Sequence, residues 1–238
     1  MTVFTDILAH AQEFPAVEVC GLIVVNADAC HLIRAKNLYT KPREGFELDS
    51  DAWLEVGEGD EVVGIYHSHP FTNAEPSMHD LVMCEASNLP WHIVNPETQE
   101  HRITNPSGYL APYTKRPYVH GVLDCYAVVR DWYTREWGLN MPDYPRQDGW
   151  WDKGASLYLD HFAECGFVQM SEGTPLQVGD AFLIQHGARV PNHAAVYTGD
   201  GQILHHVYGR LSDYGMYGGT WSLRTTHHLR HESRIKNG

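Results

Sequence analysis

EVVGIYHSHPFTNAEPSMHD, residues 61–80, is the segment that decides how the first half of the chain folds. Its apolar beginning predicts a buried strand that ends at His67 and His69. Side chains two positions apart on a strand point to the same face, so both imidazoles can reach one metal ion. Ser77 is a typical helix N-cap residue, which places Asp80 in the first turn of the next helix, close to the histidine pair.

Two imidazoles and one carboxylate predict a metal centre in this half of the chain. His67, His69 and Asp80 leave a fourth tetrahedral position open, which is the pattern of a catalytic zinc site. Glu18 lies inside an apolar run, where an unpaired carboxylate would be costly, and a position beside the zinc ion as the general base explains its presence. We expect Ser77 to stabilise the oxyanion.

The residues around this segment predict an alternation of helices and strands. Apolar residues at helical spacing predict a first helix, and apolar runs bounded by turn residues predict strands on either side of the histidine pair. The predicted elements are a helix over 2–13, strands over 17–25 and 29–35 joined by a turn at 26–28, a short helix over 49–56, a helix over 77–86, and strands near 91–94 and 100–103.

These residues resemble the JAMM (MPN-type) zinc metalloprotease family. The signature of that family is a Glu, then His-x-His, seven residues, Ser, two residues and Asp. Here it is matched by Glu18, His67-Ser68-His69, Ser77 and Asp80, and the resemblance covers residues 1–105. It implies an α/β/α metalloprotease fold, a zinc cofactor and hydrolysis of peptide or isopeptide bonds.

The second half of the chain contains a candidate nucleophile, Cys125, preceded by Asp124 at the start of a predicted helix. A thiol at a helix N-terminus loses its proton more easily because of the helix dipole, and a nearby imidazolium strengthens the effect. The best candidate for the base is His193, which opens a predicted strand. His205 lies twelve residues later across a Gly-Asp-Gly turn, where it can fix the tautomer of His193.

This second group of residues looks like the NlpC-type peptidases, a papain-like family that cleaves cell walls. The shared marks are Asp124-Cys125, Gly179-Asp180, His193 with Tyr197 and Gly199, and a polar residue, His205, twelve positions after the histidine. The resemblance covers residues 110–235. It implies a helix carrying the cysteine packed on an antiparallel sheet.

Two details of the NlpC-type pattern differ or remain open in this sequence. The family places a tyrosine twelve residues before the cysteine to line the site; Tyr113 has that spacing, and Tyr118 is a competitor. The Ser-Gly that usually follows the cysteine is replaced here by Tyr126-Ala127. That departure concerns the shape of the substrate subsite rather than the nucleophile.

The elements predicted for the second half describe an α+β domain that follows a linker. Asn, Pro, Ser and Gly at 105–108 predict the linker, so we expect domains over 1–107 and 108–238. The predicted elements are helices over 124–137 and 152–164, a loop over 138–150, strands near 180–185, 193–198, 202–207 and 221–229, and a frayed polar tail over 227–238.

Charge and composition exclude several classes of function. The net charge is −13, with −12 in residues 1–107 and −1 in residues 108–238, which disfavours nucleic-acid binding. No apolar run is long enough to insert into a membrane. The first eleven residues contain Asp6 and no Lys or Arg, which argues against a signal peptide and for folding in a cytoplasm. Five irregularly spaced cysteines favour reduced thiols over a disulfide framework.

The fusion of the two domain types resembles the tail assembly protein K family of lambda-like bacteriophages. Residues 115–126 and 201–206 are typical of that family, and the resemblance spans the whole chain. It implies peptidoglycan peptides and other phage tail-tip proteins as partners, assembly in the host cytoplasm, and action from the tail tip in the host periplasm. Two alternatives stay open: a maturation protease of tail proteins, and a non-catalytic docking factor in tail assembly.

Overall fold

The computed structural model describes residues 2–27 and 29–235, which form two compact units, Met1–Leu110 and Ala111–Gly238. The first unit contains a five-stranded sheet with helices on both faces. Its elements are α1 (Val3–Glu13), β1 (Cys20–Val25), β2 (Cys30–Ala35), α2 (Asp51–Leu54), β3 (Glu61–Ser68), α3 (Met78–Ser87), β4 (Trp91–Val94) and β5 (His101–Thr104).

The strands of the first unit are ordered β2-β1-β3-β4-β5, and β3 and β4 are parallel while the other neighbours are antiparallel. A parallel pair needs a crossover, and α3 provides it. Both faces are covered: Ile23 packs in a cluster with Ile7 of α1, and Leu22 packs in a cluster with Cys84 of α3. Burial of both faces explains why β1 is apolar throughout rather than alternating.

The second unit is built on a six-stranded antiparallel sheet ordered β10-β9-β8-β7-β11-β6. Val128 and Trp132 of its long helix pack against one face of this sheet, beside Ala194 and Leu204. The elements are α4 (Cys125–Trp137), α5 (Leu157–His161), β6 (Phe167–Gln169), β7 (Ala181–Ile184), β8 (His193–Gly199), β9 (Gln202–His205), β10 (Asp213–Met216), α6 (Thr220–Arg224) and β11 (Thr225–His231).

The C-terminal region differs most from its sequence-based prediction. The predicted strand over 221–229 begins as helix α6, and the predicted frayed tail contributes β11, which pairs with both β7 and β6. Leu229 is buried, and the Arg230 guanidinium donates to the carboxylate of Asp180 on the neighbouring chain segment (2.7 Å). These contacts order a segment whose polar composition is typical of a tail. Residues 236–238 of that prediction lie outside the described part of the chain.

Three smaller points separate the predicted elements from the observed ones. The predicted helix over 152–164 is reduced to α5, and strands β6 and β10 were not predicted. The compact units meet between Leu110 and Ala111, and the predicted domain bounds of 1–107 and 108–238 stay a prediction. The Glu85 carboxylate accepts hydrogen bonds from the backbone N–H groups of residues 107, 108 and 109 (2.6, 3.1 and 2.9 Å), which hold this segment against the first unit. The predicted turn at 26–28 includes Asp28, which lies outside the described residues.

Candidate active sites

The first candidate site lies at the end of β3, where two histidines meet the beginning of α3. His67 Nε2 lies 3.0 Å from His69 Nε2, and these atoms lie 3.3 and 3.4 Å from the two oxygens of Asp80. Ligand atoms bound at 2.0–2.1 Å to a tetrahedral zinc ion are about 3.3 Å apart. All three side chains are buried. Their spacing and chemistry therefore fit the zinc ion that the sequence pattern implies.

Neighbouring residues hold the two imidazole rings in orientations suited to metal binding. His69 Nδ1 donates to the carbonyl oxygen of Asn73 (3.0 Å), because a carbonyl can only accept, and in the neutral ring this leaves Nε2 as a free lone pair. The ring of Phe46 stacks on His67 at 4.6 Å. Within residues 2–27 and 29–235, His67 Nδ1 is buried without a hydrogen-bond partner.

Ser77 and Asp80 form a reciprocal capping arrangement at the start of α3. The Ser77 N–H donates to Asp80 Oδ2 (2.7 Å), and the Asp80 N–H donates to Ser77 Oγ (3.1 Å). The predicted N-cap is therefore present, and it orients the Asp80 carboxylate toward the histidine pair. The structure gives Ser77 this capping contact, and its role at an oxyanion stays a prediction.

Glu18 lies immediately before β1, beside the same histidines. The Val19 N–H donates to Ser68 Oγ (3.0 Å) and the Ser68 N–H donates to the Val19 carbonyl (3.0 Å), which fixes this segment against β3. Glu18 is buried, and its carboxylate belongs to a group with His67 and His69 whose ligand atoms all lie within 4.8 Å of one another. Two carboxylates, from Glu18 and Asp80, thus face the histidine pair.

The charge states of these two carboxylates differ for physical reasons. Burial, with a smaller contribution from Asp80, raises the pKa of Glu18 to about 7, against a lowering by His69. Burial also acts to raise the pKa of Asp80, but the two imidazoles outweigh it and hold that pKa well below its usual range. Asp80 is therefore ionised, as a ligand must be, while Glu18 can exchange a proton near neutral pH.

The second candidate site begins at Cys125, the first residue of α4. Asp124 is the N-cap, and its carboxylate accepts from the Ala127 N–H (2.9 Å) and from Arg146 Nε (2.8 Å). The Cys125 Sγ atom lies 3.1 Å from the hydroxyl of Tyr158 and 4.0 Å from the carbonyl oxygen of Asn192. The thiol therefore sits at a helix N-terminus next to the start of β8.

The two predicted histidines of this site lie together. His193 opens β8, His205 ends β9, and their Nε2 and Nδ1 atoms are 3.1 Å apart. The β8–β9 pairing aligns His205 with Ala195, which brings it next to His193. The Trp221 ring packs against both imidazoles, at 5.5 and 4.8 Å between centroids.

Cys125 contacts the backbone on either side of His193 rather than the His193 ring. The sulfur lies near the carbonyl of Asn192 and the N–H of Ala194, the residues that flank His193. In the described part of the chain, no hydrogen bond joins Sγ to the His193 ring. The pairing of thiol and imidazole stays a prediction.

Burial disfavours the charged form of both members of the predicted pair. Burial, and to a lesser degree the Asp124 carboxylate, raises the pKa of Cys125 to about 11. Burial, and then the neighbouring His205, lowers the pKa of His193 well below its ordinary value. Both shifts oppose a thiolate–imidazolium pair at this site.

The structure places Tyr113 away from the thiol, which corrects its predicted role in lining the site. Its hydroxyl donates to Glu136 (2.9 Å), and Glu136 lies about 16 Å beyond Cys125 along the axis of α4. For Tyr118, the competitor, burial raises the pKa of the hydroxyl most, and the Cys125 thiol and the Asp124 carboxylate raise it further.

Sequence patterns gave no indication of several residues that support the two sites. Tyr158 contacts the Cys125 thiol from a helix far along the chain, and the amide of Asn95 donates to the His69 carbonyl (3.0 Å). Arg146 contacts the Asp124 cap from the segment over 138–150, for which the sequence predicted a loop but no contact. Such contacts depend on how distant segments cross, and no fixed spacing reveals them.

Comparison with known families agrees with this division into two units. Residues 2–105 match the model of the prokaryotic homologs of the JAB domain, and residues 115–230 match that of the NlpC/P60 family. The predicted architecture of an N-terminal JAB/MPN-like unit and a C-terminal NlpC-type unit is confirmed. In the described residues, no helix has the length and apolar character that a membrane span needs.

Three relatives have sequences similar to this chain. Tail tip assembly protein K of Escherichia phage N15 is 35% identical over 95% of this chain and 93% of its own length. Tail tip assembly protein K of Escherichia phage lambda is 37% identical over 78% of this chain and 90% of its own length. A desampylase of Haloferax volcanii is 37% identical over 32% of this chain and 63% of its own length.

Proposed function

Because the chain belongs to the tail tip assembly protein K family, we propose that it is a tail-tip protein with two hydrolytic sites. One is a cysteine endopeptidase that cleaves peptidoglycan stem peptides, and the other is a zinc-dependent peptidase or isopeptidase. The observation that carries the proposal is the convergence of His67, His69 and Asp80, with donor atoms 3.0–3.4 Å apart, in a chain that also places Cys125 beside the start of the His193 strand.

In the first unit, His67, His69 and Asp80 are the residues that would hold the ion. Asp80 is the carboxylate ligand in this proposal because its oxygens lie 3.3 and 3.4 Å from the imidazole nitrogens and it is ionised. Zinc at this position supplies Lewis-acid activation of water and of the scissile carbonyl. The Glu18 carboxylate accepts the proton that the attacking water loses and returns it to the leaving amine. A pKa of about 7 for Glu18 favours both transfers.

In the second unit, Cys125 attacks the scissile carbonyl and His193 accepts the thiol proton. The bond from sulfur to the carbonyl carbon forms as the bond to the amine breaks, and His193 returns the proton to that amine. Water then attacks the acyl-enzyme, with His193 again taking a proton, and the free thiol is restored. His205, 3.1 Å from His193, orients the imidazole throughout.

The proposed partners and location follow from the family. Other tail-tip proteins are the assembly partners in the host cytoplasm, and peptidoglycan in the periplasm is the substrate when the tail tip reaches the cell wall. The similarity of the first unit to a desampylase favours an isopeptide-type or protein substrate for the zinc site. A maturation protease of tail proteins is therefore the second candidate function.

Two incubations separate these functions. The reduced, zinc-loaded protein is mixed with purified peptidoglycan in one and with assembled tail-tip proteins in the other, and soluble products are followed by chromatography and gel electrophoresis. Release of peptides from the wall supports the endopeptidase, and cleavage of tail proteins alone supports the maturation protease. If neither substrate is cut, the two folds serve as docking modules and the proposal fails.

A further inference from the structure

The thiol of Cys125 has a hydroxyl partner that the mechanism above does not use. Tyr158 Oη lies 3.1 Å from Sγ, and Cys125 is 5% exposed. Tyr158 belongs to α5, and its ring packs against Trp150 and Tyr126 at 5.8 and 6.3 Å between centroids. The same ring lines an apolar cavity of about 60 Å³ between this segment and the sheet. The hydroxyl is therefore held at the sulfur by packing on several sides.

The remaining groups around the sulfur do not offer a better donor. Asp124 is an anion next to the thiol, and it opposes ionisation of the sulfur. Arg146 is directed to that carboxylate rather than to the sulfur (2.8 Å). Besides Tyr158, the groups that act on the Cys125 thiol are the Tyr118 hydroxyl, the Asp124 carboxylate, the Arg146 guanidinium and the Ala194 N–H of β8. The Asn192 carbonyl, one residue before β8, lies 4.0 Å from Sγ.

We propose that Tyr158 is a further catalytic residue of the cysteine site, whose hydroxyl donates a hydrogen bond to the sulfur and stabilises the thiolate. A phenol buried beside a thiol keeps its proton, since burial holds the pKa of Tyr158 well above its ordinary value. It can therefore donate and not compete for the negative charge. Hydrogen bonds to charged groups are about twice as strong as those between neutral groups, so the contact favours the ionised sulfur.

This role deepens the proposed cysteine mechanism and rests on Cys125 as the nucleophile. When His193 takes the thiol proton, the negative charge that develops on sulfur faces the Tyr158 hydroxyl at hydrogen-bond distance. As the sulfur is acylated, that charge is lost and the bond weakens. The hydroxyl thus stabilises the nucleophile before attack, in a site where burial otherwise disfavours a thiolate.

The direct test measures the ionisation of Cys125 without any wall substrate. Tyr158→Phe keeps the ring and removes the hydroxyl; alkylation of the Cys125 peptide by iodoacetamide is followed by mass spectrometry in brief incubations from about pH 7 to pH 10. We expect the midpoint of thiol ionisation to rise by about one unit, the size expected for loss of a hydrogen bond to a charged group. Below the midpoint the rate follows the thiolate fraction, so the variant should be alkylated about tenfold more slowly than the wild type at each pH.

Tyr126→Phe is the matched control. Its hydroxyl donates to the Pro142 carbonyl (2.5 Å), and its ring lines the same cavity, so this variant should keep the wild-type midpoint. If Tyr158→Phe unfolds, 4-fluorophenylalanine at position 158 replaces it as the test. That side chain fills the space of the hydroxyl without an O–H donor, and it should slow the alkylation in the same way.

Alkylation of Tyr158→Phe at the wild-type rate or faster overturns the inference, because Tyr158 then only covers the sulfur. Alkylation of the 4-fluorophenylalanine variant at the wild-type rate overturns it equally. If the midpoints shift as expected but peptidoglycan is not cut by the wild type, the inference about Tyr158 stands and the proposed wall substrate fails. The two failures are therefore distinguishable.

Discussion

At the scale of single residues, both sites depend on buried titratable groups whose charge is set by named neighbours. Asp80 is ionised because two imidazoles outweigh its burial, whereas Glu18 keeps a pKa of about 7 because burial dominates. In the second unit, burial disfavours the charged forms of both Cys125 and His193. The ionised Asp80 carboxylate favours a cation at the first site, whereas burial opposes a thiolate–imidazolium pair at the second.

Replacement of one imidazole tests the metal site. His67→Ala removes one of three ligands, so we expect a loss of zinc affinity beyond the about 10–100-fold that loss of an outer-shell partner costs. Zinc content after dialysis, measured by elemental analysis, checks this expectation. His92→Ala is the control, because His92 contacts His101 (3.1 Å) in another histidine pair of the same sheet and should leave zinc bound. Equal zinc content in both variants, or none in the wild type, would contradict the assignment.

Sequence spacing located the site residues that lie on regular elements or at their ends. His67 lies in β3, His69 directly follows that strand, and Asp80 follows its cap by three residues, so spacing along the chain predicted their positions. Tyr113 was misplaced because the segment between it and Cys125 is irregular, and spacing along such a segment does not fix distance. Tyr158 was missed because its contact with the thiol joins two segments that are far apart in the sequence.

At the scale of elements, the second unit depends on a buried ion pair that ties β11 to the beginning of β7. Asp180 accepts two hydrogen bonds from Arg230 (2.7 and 2.9 Å) and one from His228 (2.6 Å). Polar residues in β11 suggested a frayed tail, but the Asp180 carboxylate gives two of them partners inside the fold. The low strand propensity of these polar residues gave the wrong prediction, because their tertiary contact with Asp180 outweighs it.

Loss of this carboxylate should destabilise the second unit. Asp180→Asn leaves the Arg230 charge buried without its partner, so we expect the free energy of unfolding to fall by about 3 kcal/mol at neutral pH. Urea denaturation, followed by the fluorescence of the tryptophans, measures it. A loss below about 0.5 kcal/mol, typical of surface substitutions, would show that the pair contributes little.

The same variant has an expected pH dependence. Burial acts to raise the pKa of Asp180, but the hydrogen bonds from Arg230, the Gln177 N–H and His228 hold it below its usual value. A carboxylate with a lowered pKa in the folded state contributes stability that is present above about pH 4 and is lost as the pH falls through the lowered pKa. The difference between wild type and Asp180→Asn should therefore shrink in acid. A difference that grows below about pH 4 would contradict this sign.

At the scale of the whole molecule, each site is complete within one unit. Glu18, His67, His69 and Asp80 all lie in Met1–Leu110, whereas Cys125, Tyr158, His193 and His205 all lie in Ala111–Gly238. The negative net charge of the chain is also concentrated in one unit, the first. The chain is therefore expected to carry two activities that can be removed one at a time.

Metal removal tests this independence. A zinc chelator should leave the rate of peptidoglycan cleavage within about twofold of the untreated protein, because the residues of each site come from one unit alone and independent sites have nearly additive energetics. Cys125→Ser should keep the zinc content of the wild type. Loss of wall cleavage on chelation, restored by added zinc, would instead show that the two sites are coupled.

Mass spectrometry of the muropeptides released from purified peptidoglycan tests the central claim most directly. The wild-type protein should release fragments with new peptide termini that identify one scissile bond in the stem peptide, and Cys125→Ser should release none. Identical fragments from both proteins, or none from the folded, reduced wild type, would contradict the account of Cys125 as the nucleophile of a cell-wall endopeptidase.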